Sequence, residues 1–269
     1  MSVPRTESRH PRARSLSSLS TRELLSLMSD EDRGVPAAVS NALPEIERAL
    51  ELVVASLRSG GHLIYVGAGT SGRLGVLDAS EMPPTFGVDA SIVRGIIAGG
   101  GAALRTAVEG AEDDAAAGAS DVQREVREGD VVVGISASGR ARYVVAALAA
   151  ARAAGARTIA LTCADETALA ADAEVAIVVD VGPEVLAGSS RLKAGTATKL
   201  VLNMLSTATM VRLGRTKDDL MVEVRATNAK LRERAIAMVR TEAGVDEAEA
   251  RRRLEAAGWS VREAIDRQR

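Results

Sequence analysis

The segment His62–Ser80, HLIYVGAGTSGRLGVLDAS, predicts a short buried strand, a glycine-rich turn and the start of a helix. Unpaired backbone N–H groups and the helix dipole favour an anion at such a helix start. Gly69 would let a ligand approach the backbone closely, and the hydroxyls of Thr70 and Ser71 could donate hydrogen bonds to it. A tight turn capped by a hydroxyl, with no ligand, is the other interpretation of this segment.

The glycines of this turn also match the G-x-G-x-x-G pattern of dinucleotide sites, through Gly67, Gly69 and Gly72. Such a site needs an acidic residue at the end of the second strand, to bind a ribose. The second apolar run ends instead in Ala-Gly-Gly at 98–100. The sequence therefore disfavours a nucleotide, and no cofactor is expected.

Four more apolar runs follow the first one, and all are nearly continuous in apolar residues: Ser91–Ala98, Asp130–Ile135, Thr158–Thr162 and Val175–Val181. Continuous apolar runs are typical of strands buried on both faces, as in a parallel sheet covered by helices. We therefore predict an α/β fold with a doubly wound, mostly parallel five-stranded sheet. Helices are expected around it, at Leu43–Leu57, Tyr143–Ala154, Lys193–Leu213 and Asp219–Arg240.

A second hydroxyl-bearing turn follows the third apolar run, with Ser136, Ser138 and Gly139 ahead of another helix. In an open parallel sheet, ligands bind beyond the carboxyl ends of the strands. The two turns could therefore flank one phosphate group. Each of them alone could equally be a helix cap.

Two acidic positions stand out between these turns. Glu81 precedes Pro83-Pro84, which must end the helix, so we expect it where that helix gives way to an irregular loop. Glu112 lies in the acidic cluster Glu109–Asp114. Without further context, Glu81 would be a solvated residue near a helix end, and the cluster would be an acidic patch at the next helix start.

Longer strings of sequence resemble known families. The two hydroxyl loops on a doubly wound sheet resemble the sugar isomerase (SIS) domain, which binds phosphosugars through such loops. Four strings are similar to the N-acetylmuramic acid 6-phosphate etherase family: Gly67–Gly87 (GAGTSGRLGVLDASEMPPTFG), Glu109–Asp114 (EGAEDD), Gly188–Leu205 (GSSRLKAGTATKLVLNML) and Met221–Leu231 (MVEVRATNAKL).

This resemblance implies a carbon–oxygen lyase of cell-wall amino-sugar recycling. It would cleave the D-lactyl ether of a phosphosugar by elimination and then hydration, as a homodimer. The resemblance places the two catalytic carboxylates at Glu81 and Glu112. Along the chain we predict an N-terminal arm and helix at 1–44, an SIS sugar-phosphate-binding domain at 45–217 and a C-terminal helical region at 218–269.

The chemistry of such a reaction suits these residues. Two positioned carboxylates can transfer the protons that an elimination requires, without metal or nucleotide. Lys193 could add positive charge at the phosphate, or it could simply cap and solubilise its helix. A phosphosugar isomerase, or a non-catalytic sugar-phosphate-binding regulator on the same fold, remains the alternative.

The composition argues against nucleic-acid-binding, membrane and metal-binding proteins. The net charge is −2 and aromatic residues are few, so neither a nucleic-acid partner nor a membrane partner is expected. Cys163 is the single cysteine, and His10 and His62 are the two histidines, without metal-ligand spacing. No apolar run reaches the roughly 20 residues that cross a bilayer, and the Arg-bearing N-terminus resembles no signal peptide, so we expect a cytoplasmic protein.

Overall fold

The computed structural model describes residues 5–13, 15–224, 226 and 228–266, and its centre is a sheet of five strands. All the strand pairings are parallel, in the order β2-β1-β3-β4-β5. The strands are β1 Leu63–Gly67, β2 Val93–Ile97, β3 Val131–Ile135, β4 Arg157–Thr162 and β5 Val175–Val178. The predicted α/β class and the five-stranded parallel sheet are confirmed.

The strand order creates a crevice at one point of the sheet. The chain leaves β1 to form β2 on one side, then returns to form β3 on the other side of β1. At such a reversal the connections on the two sides diverge, and ligands bind there beyond the carboxyl ends of the strands. The loops that follow β1 and β3 therefore flank this crevice.

Helices cover both faces of the sheet. Ile64 and Val66 of β1 belong to a buried apolar cluster with residues of α6 (Ala115–Glu125) and α7 (Arg142–Ala153). On the opposite face, Tyr65 lies against α4 (Gly69–Ser80). A methyl group on Gly75 of that helix would be 2.8 Å from Tyr65 Cβ, so glycine permits this close approach. Alternation along the strand thus sends neighbouring side chains into two separate layers.

The remaining helices are α1 Thr21–Asp32, α2 Val35–Asn41, α3 Leu43–Arg58, α5 Met82–Phe86, α8 Ala168–Ala171, α9 Lys193–Arg212, α10 Ala229–Ala243, α11 Glu247–Ala256 and α12 Val261–Asp266. The start of α1 is a capping box, because Ser20 accepts from the Glu23 backbone N–H while the Glu23 carboxylate accepts from the Ser20 backbone N–H. The sequence predicted that start from the spacing of those two residues.

A predicted helix over Asp219–Arg240 is wrong in its first half. The helix begins at Ala229, where the side chain of Asn228 accepts a hydrogen bond from the Leu231 backbone N–H. Before it, Lys217 and Leu220 form an isolated antiparallel bridge. In this segment Val222 and Val224 are buried without forming part of a helix.

The described chain divides into two compact units. The first comprises Met1–Ala79 and Ser91–Ser206, and the second comprises Ser80–Ala90 and Thr207–Arg269. The division expected from the sequence, at 44 and 217, stays a prediction. Within the described ranges, no helix combines the length and the apolar character needed to cross a bilayer.

Candidate functional site

The loop after β1 is closely packed through its glycines. A methyl group on Gly72 would be 2.6 Å from the carbonyl oxygen of Gly67, so the first turn of α4 lies directly on the end of the strand. Gly69 has a φ of +53°, a left-handed conformation that glycine adopts without strain. Thr70 and Ser71 follow in the first turn of α4, both half-buried. This packing puts two hydroxyls beside the backbone N–H groups of a helix start.

The loop after β3 is a tight turn. The backbone N–H of Gly139 donates to the Ser136 carbonyl at 2.9 Å, and Gly139 has a φ of +65°. Ser136 is buried and Ser138 is half-buried. A methyl group on Gly139 would be 2.4 Å from Thr167 Cβ, so the next loop closes this turn from outside.

The sheet brings these two loops together. In the β1–β3 pairing Gly67 is in register with Ile135, so both loops leave the sheet at the same level from adjacent strands. Adjacent strands lie about 4.8 Å apart. The two hydroxyl pairs therefore follow the ends of adjacent strands, at the strand-order reversal.

Lys193 lies at the start of α9, close to the first loop. A methyl group on Gly195 would be 3.6 Å from Thr70 Cγ2. The Lys193 side chain is buried, and its Nζ donates to Glu31 Oε2 at 2.9 Å, an oxygen that His10 Nε2 also contacts at 2.9 Å. Burial alone would raise the pKa of Glu31, but hydrogen bonds from Lys193 and His10 outweigh it and hold that pKa below its usual range. The lysine is thus part of a charged cluster that the sequence analysis did not identify.

The backbone at the start of α9 is also engaged. Glu184 is completely buried, and its two carboxylate oxygens accept hydrogen bonds from the backbone N–H groups of Lys193 and Ala194, at 3.0 and 2.9 Å. A carboxylate bonded in this way satisfies the helix dipole. In the sequence, the only sign of this interaction was that Glu184 stands in a mostly apolar stretch nine positions before the helix.

Glu81 lies between two helices and not in an irregular loop as expected. It is the N-cap residue of α5, which begins at Met82 with proline in its first turn, and its side chain is exposed. Proline cannot continue α4, but it fits the first turn of a new helix, where its missing N–H has no partner to lose. The prolines therefore end one helix and start another.

Glu112 lies in a short 3₁₀ turn, Ala111–Asp113, and its side chain is exposed. Gly110 before the turn has a φ of +75°, and Asp114 after it caps α6 by accepting from the Ala117 backbone N–H at 2.9 Å. The acidic cluster thus includes a true helix cap beside the candidate base. Glu112 belongs to the first unit and Glu81 to the second.

A buried carboxylate that the sequence did not single out closes α4. Asp78 accepts hydrogen bonds from Tyr65 Oη at 3.0 Å, from Asn203 Nδ2 at 2.8 Å and from Ser206 Oγ at 3.1 Å. Three donors offset the cost of burying this charge. The cluster links β1, α4 and α9 within the first unit.

The two loops present a set of hydrogen-bond donors. Hydroxyls and backbone N–H groups converge at the end of β1 and β3, which suits an anion. Over the described part of the chain, no group of three or more His, Cys, Asp or Glu side chains is placed to hold a metal ion.

Comparison with known families places this site in a class. Residues 45–152 match the model of the glucokinase regulatory protein N-terminal SIS domain, and residues 108–208 match that of the SIS domain. A phosphoheptose isomerase from Francisella tularensis has a similar fold, with a TM-score of 0.57, 20% identity, and coverage of 72% of this chain and 100% of that one. The sheet and its two loops are those of an SIS-domain protein.

Curated relatives identify the family within the SIS-domain proteins. The chain is 53% identical over 260 residues to the N-acetylmuramic acid 6-phosphate etherase of Symbiobacterium thermophilum, which covers 97% of this chain and 87% of that protein. It is 52% identical to the etherase of the same name from Pectobacterium atrosepticum, over 97% and 86%. The chain belongs to the N-acetylmuramic acid 6-phosphate etherase family.

Proposed function

We propose that this protein cleaves the D-lactyl ether of N-acetylmuramic acid 6-phosphate, giving N-acetylglucosamine 6-phosphate and D-lactate, in amino-sugar recycling. The observation that carries this proposal is the 53% identity over 97% of the chain to an etherase of that name. The two adjacent hydroxyl loops support the same substrate class, because a sugar phosphate needs an anion site.

The reaction proceeds by elimination and then hydration. An alkyl ether resists direct hydrolysis, because alkoxide is a poor leaving group. In the open-chain sugar the C1 aldehyde acidifies the C2 proton. A base removes that proton, an acid protonates the C3 ether oxygen as the C3–O bond breaks, and lactate leaves. Water then adds at C3 of the unsaturated aldehyde, and C2 regains a proton.

The two carboxylates take the proton-transfer steps. Glu112 removes the C2 proton, and Glu81 protonates the departing oxygen and then activates the incoming water. General acid–base groups of this kind each contribute about 10²- to 10⁴-fold in rate. Both side chains are exposed, so substrate can reach them.

The phosphate is held by the two loops. Gly69 and Gly139 shape the turns, and four hydroxyls donate to the phosphate oxygens: Thr70, Ser71, Ser136 and Ser138. Lys193 adds positive charge from the start of α9, next to Thr70. Glu31 then shares that lysine with the ligand, which moderates the charge at the site.

The first experiment measures D-lactate after incubation of the purified protein with N-acetylmuramic acid 6-phosphate. Wild-type protein releases lactate without added nucleotide or metal. Glu81→Ala abolishes lactate release but still exchanges the C2 proton with solvent deuterium, whereas Glu112→Ala abolishes both. Loss of exchange in Glu81→Ala would reverse the two roles, and no lactate from the wild type would refute the function.

The active form is a homodimer in this proposal. Leu77 on α4 and Met204 on α9 are large apolar side chains that are 54% and 38% exposed, on helices linked by the Asn203–Asp78 hydrogen bond. Burying them against a second copy would remove apolar area from water. Light scattering after size-exclusion chromatography should give a dimer for the wild type and a monomer for Leu77→Glu/Met204→Glu. A monomeric wild type would refute this part.

The cytoplasm is the compartment that fits this substrate. A phosphorylated sugar carries charge that cannot cross an apolar bilayer core cheaply, so it stays where it is made. Fractionation of cells that express the full chain should recover the lactate-releasing activity with cytoplasmic markers.

A further inference from the structure

The segment that carries Glu81 is fixed at its opposite end by an unusually close backbone contact. Helix α5 ends at Gly87, which has a φ of +65° and donates its N–H to the Pro83 carbonyl at 3.1 Å. A methyl group on Gly87 would lie 2.5 Å from the backbone oxygen of Glu223. The C-terminus of α5 therefore rests directly on the chain at Glu223.

That chain segment is itself anchored on both sides of Glu223. Val222 and Val224 are 1% and 3% exposed, and both belong to the apolar cluster formed with α10, α11 and α12. Glu223 lies in a turn between these two valines, which the Val224 N–H closes by donating to the Met221 carbonyl at 3.2 Å, and its own side chain is only half-buried. Its carboxylate then needs a polar partner of its own.

Arg262 on α12 is that partner. Its Nε donates to Glu223 Oε1, and its second terminal nitrogen donates to the Gly214 carbonyl at 2.7 Å. The planar guanidinium can hold two groups in fixed directions, which an ammonium cannot. One side chain thus joins α12, the turn at Gly214 and the segment that supports α5, all within the second unit.

We propose that Arg262 is a positioning residue for Glu81, acting through Glu223 and Gly87. Helix α5 has five residues, and Glu81 is its N-cap, so the carboxylate moves with the helix. Misplacing a catalytic group by about 1 Å can cost about 100-fold in rate. The inference rests on the proposed function, in which Glu81 acts on the ether oxygen.

The test compares Arg262→Gln with the two catalytic variants in the same assay. Lactate release and C2 deuterium exchange are measured together on the full chain with N-acetylmuramic acid 6-phosphate. Arg262→Gln should lower kcat about tenfold or more, leave KM within about twofold, and change the exchange-to-lactate ratio in the direction that Glu81→Ala changes it. Arg262→Lys should recover part of kcat, because it restores the charge beside Glu223 without the second hydrogen bond.

A matched control is available in the same unit. Arg251 on α11 forms an exposed i,i+4 pair with Glu247, which lies outside the network of Arg262, Glu223 and Gly214. An exposed pair of this kind contributes little, so Arg251→Gln should keep wild-type kcat. If circular dichroism shows that Arg262→Gln does not fold, Glu223→Gln is measured in its place. This variant keeps the shape of the Glu223 side chain and removes its charge, so it should lower kcat in the same way.

Three results would overturn the inference. The first is an unchanged kcat in a folded Arg262→Gln protein, and the second is a ratio that follows Glu112→Ala. The third is an equal loss in the Arg251→Gln control. If the wild type itself releases no lactate, the proposed function has failed and the inference falls with it, which separates the two failures.

Discussion

The two hydroxyl loops leave adjacent strands at the same level, yet their surroundings differ. The first loop adjoins the charged cluster of Lys193, Glu31 and His10. At the second loop, the groups that close the turn are neutral: the Cys163 backbone N–H donates to the Ala137 carbonyl at 2.9 Å, and Thr167 packs against Gly139.

If both loops bind the phosphate as proposed, this difference separates the effect of loop shape from the effect of charge. Both loops can supply hydroxyls. The titratable cluster of Lys193, Glu31 and His10 lies beside the first loop. A change in the cluster should therefore alter binding and its pH dependence together. A change in the second loop should alter binding without a new dependence on pH. The following variants test that separation, from the largest expected effect to the smallest.

Gly72→Ala should have the largest effect, on the free energy of unfolding. The added methyl group would lie 2.6 Å from both the Gly67 carbonyl oxygen and Ile97 Cγ1, and backbone cannot move aside as a flexible side chain can. Overpacking of this kind costs about 3 kcal/mol. Urea unfolding measures it, with Gly195→Ala as the control, because a methyl group there makes ordinary contacts. Equal stability of the two variants would contradict the packing described.

Glu31→Gln should cost about 2 kcal/mol at pH 7, because it removes the charged hydrogen bond between the buried Lys193 ammonium and a half-buried carboxylate. The pKa of Glu31 is lowered in the fold, so its contribution is present above its usual pKa and is lost as the pH falls through the folded-state value. The difference between wild type and variant should therefore shrink below about pH 4.

Urea titrations between pH 7 and pH 3 measure this effect. His10→Gln is the control, because it keeps the Glu31–Lys193 pair and should keep most of the acid-dependent loss. A constant difference across the pH range would mean that the charge of Glu31 contributes nothing to stability.

Removing hydroxyls should have a smaller effect, on KM. Thr70→Val, Ser71→Ala, Ser136→Ala and Ser138→Ala each remove one hydrogen bond to a charged phosphate, worth about 1.5 kcal/mol or roughly tenfold in KM. Steady-state kinetics with the phosphosugar measure it. If variants of one loop alone change KM, the phosphate rests on that loop and the other is structural.

The smallest effect concerns Cys163, behind the second loop. Burial, with smaller contributions from Glu184 and Asp180, raises the pKa of this thiol to about 12. The thiolate is the reactive species, and at pH 8 it would be roughly one molecule in ten thousand. Iodoacetamide should leave the native protein unlabelled and fully active, and should label it in urea. Rapid labelling of the native protein would show that the second loop opens.

The sequence predicted the architecture well because each strand carries its own signal. Five continuous apolar runs indicated a parallel sheet, and the glycines around Thr70 indicated a close strand-to-helix turn. The prediction failed where a local pattern allowed two outcomes. Met82–Phe86 became a helix because its prolines fit a first turn, and the segment 219–224 did not form one.

The sequence also could not identify buried carboxylates. The buried Asp78 and Glu184 and the half-buried Glu31 look like ordinary acidic residues along the chain, and their partners lie 9 to 162 positions away. A carboxylate is buried only if donors arrive from other elements to offset its desolvation. Those donors are set by the packing of α4 and α9, which no local pattern describes.

The residues by themselves determined the strands, the glycine turns and the chemical groups that a phosphosugar enzyme needs, because apolar periodicity and backbone freedom act over a few residues. The tertiary structure decided which of those groups meet. Strand order put the two hydroxyl loops side by side, and packing assigned Glu31 to Lys193 and Glu223 to Arg262. Contacts between distant residues depend on how whole elements pack, and that is a property of the fold.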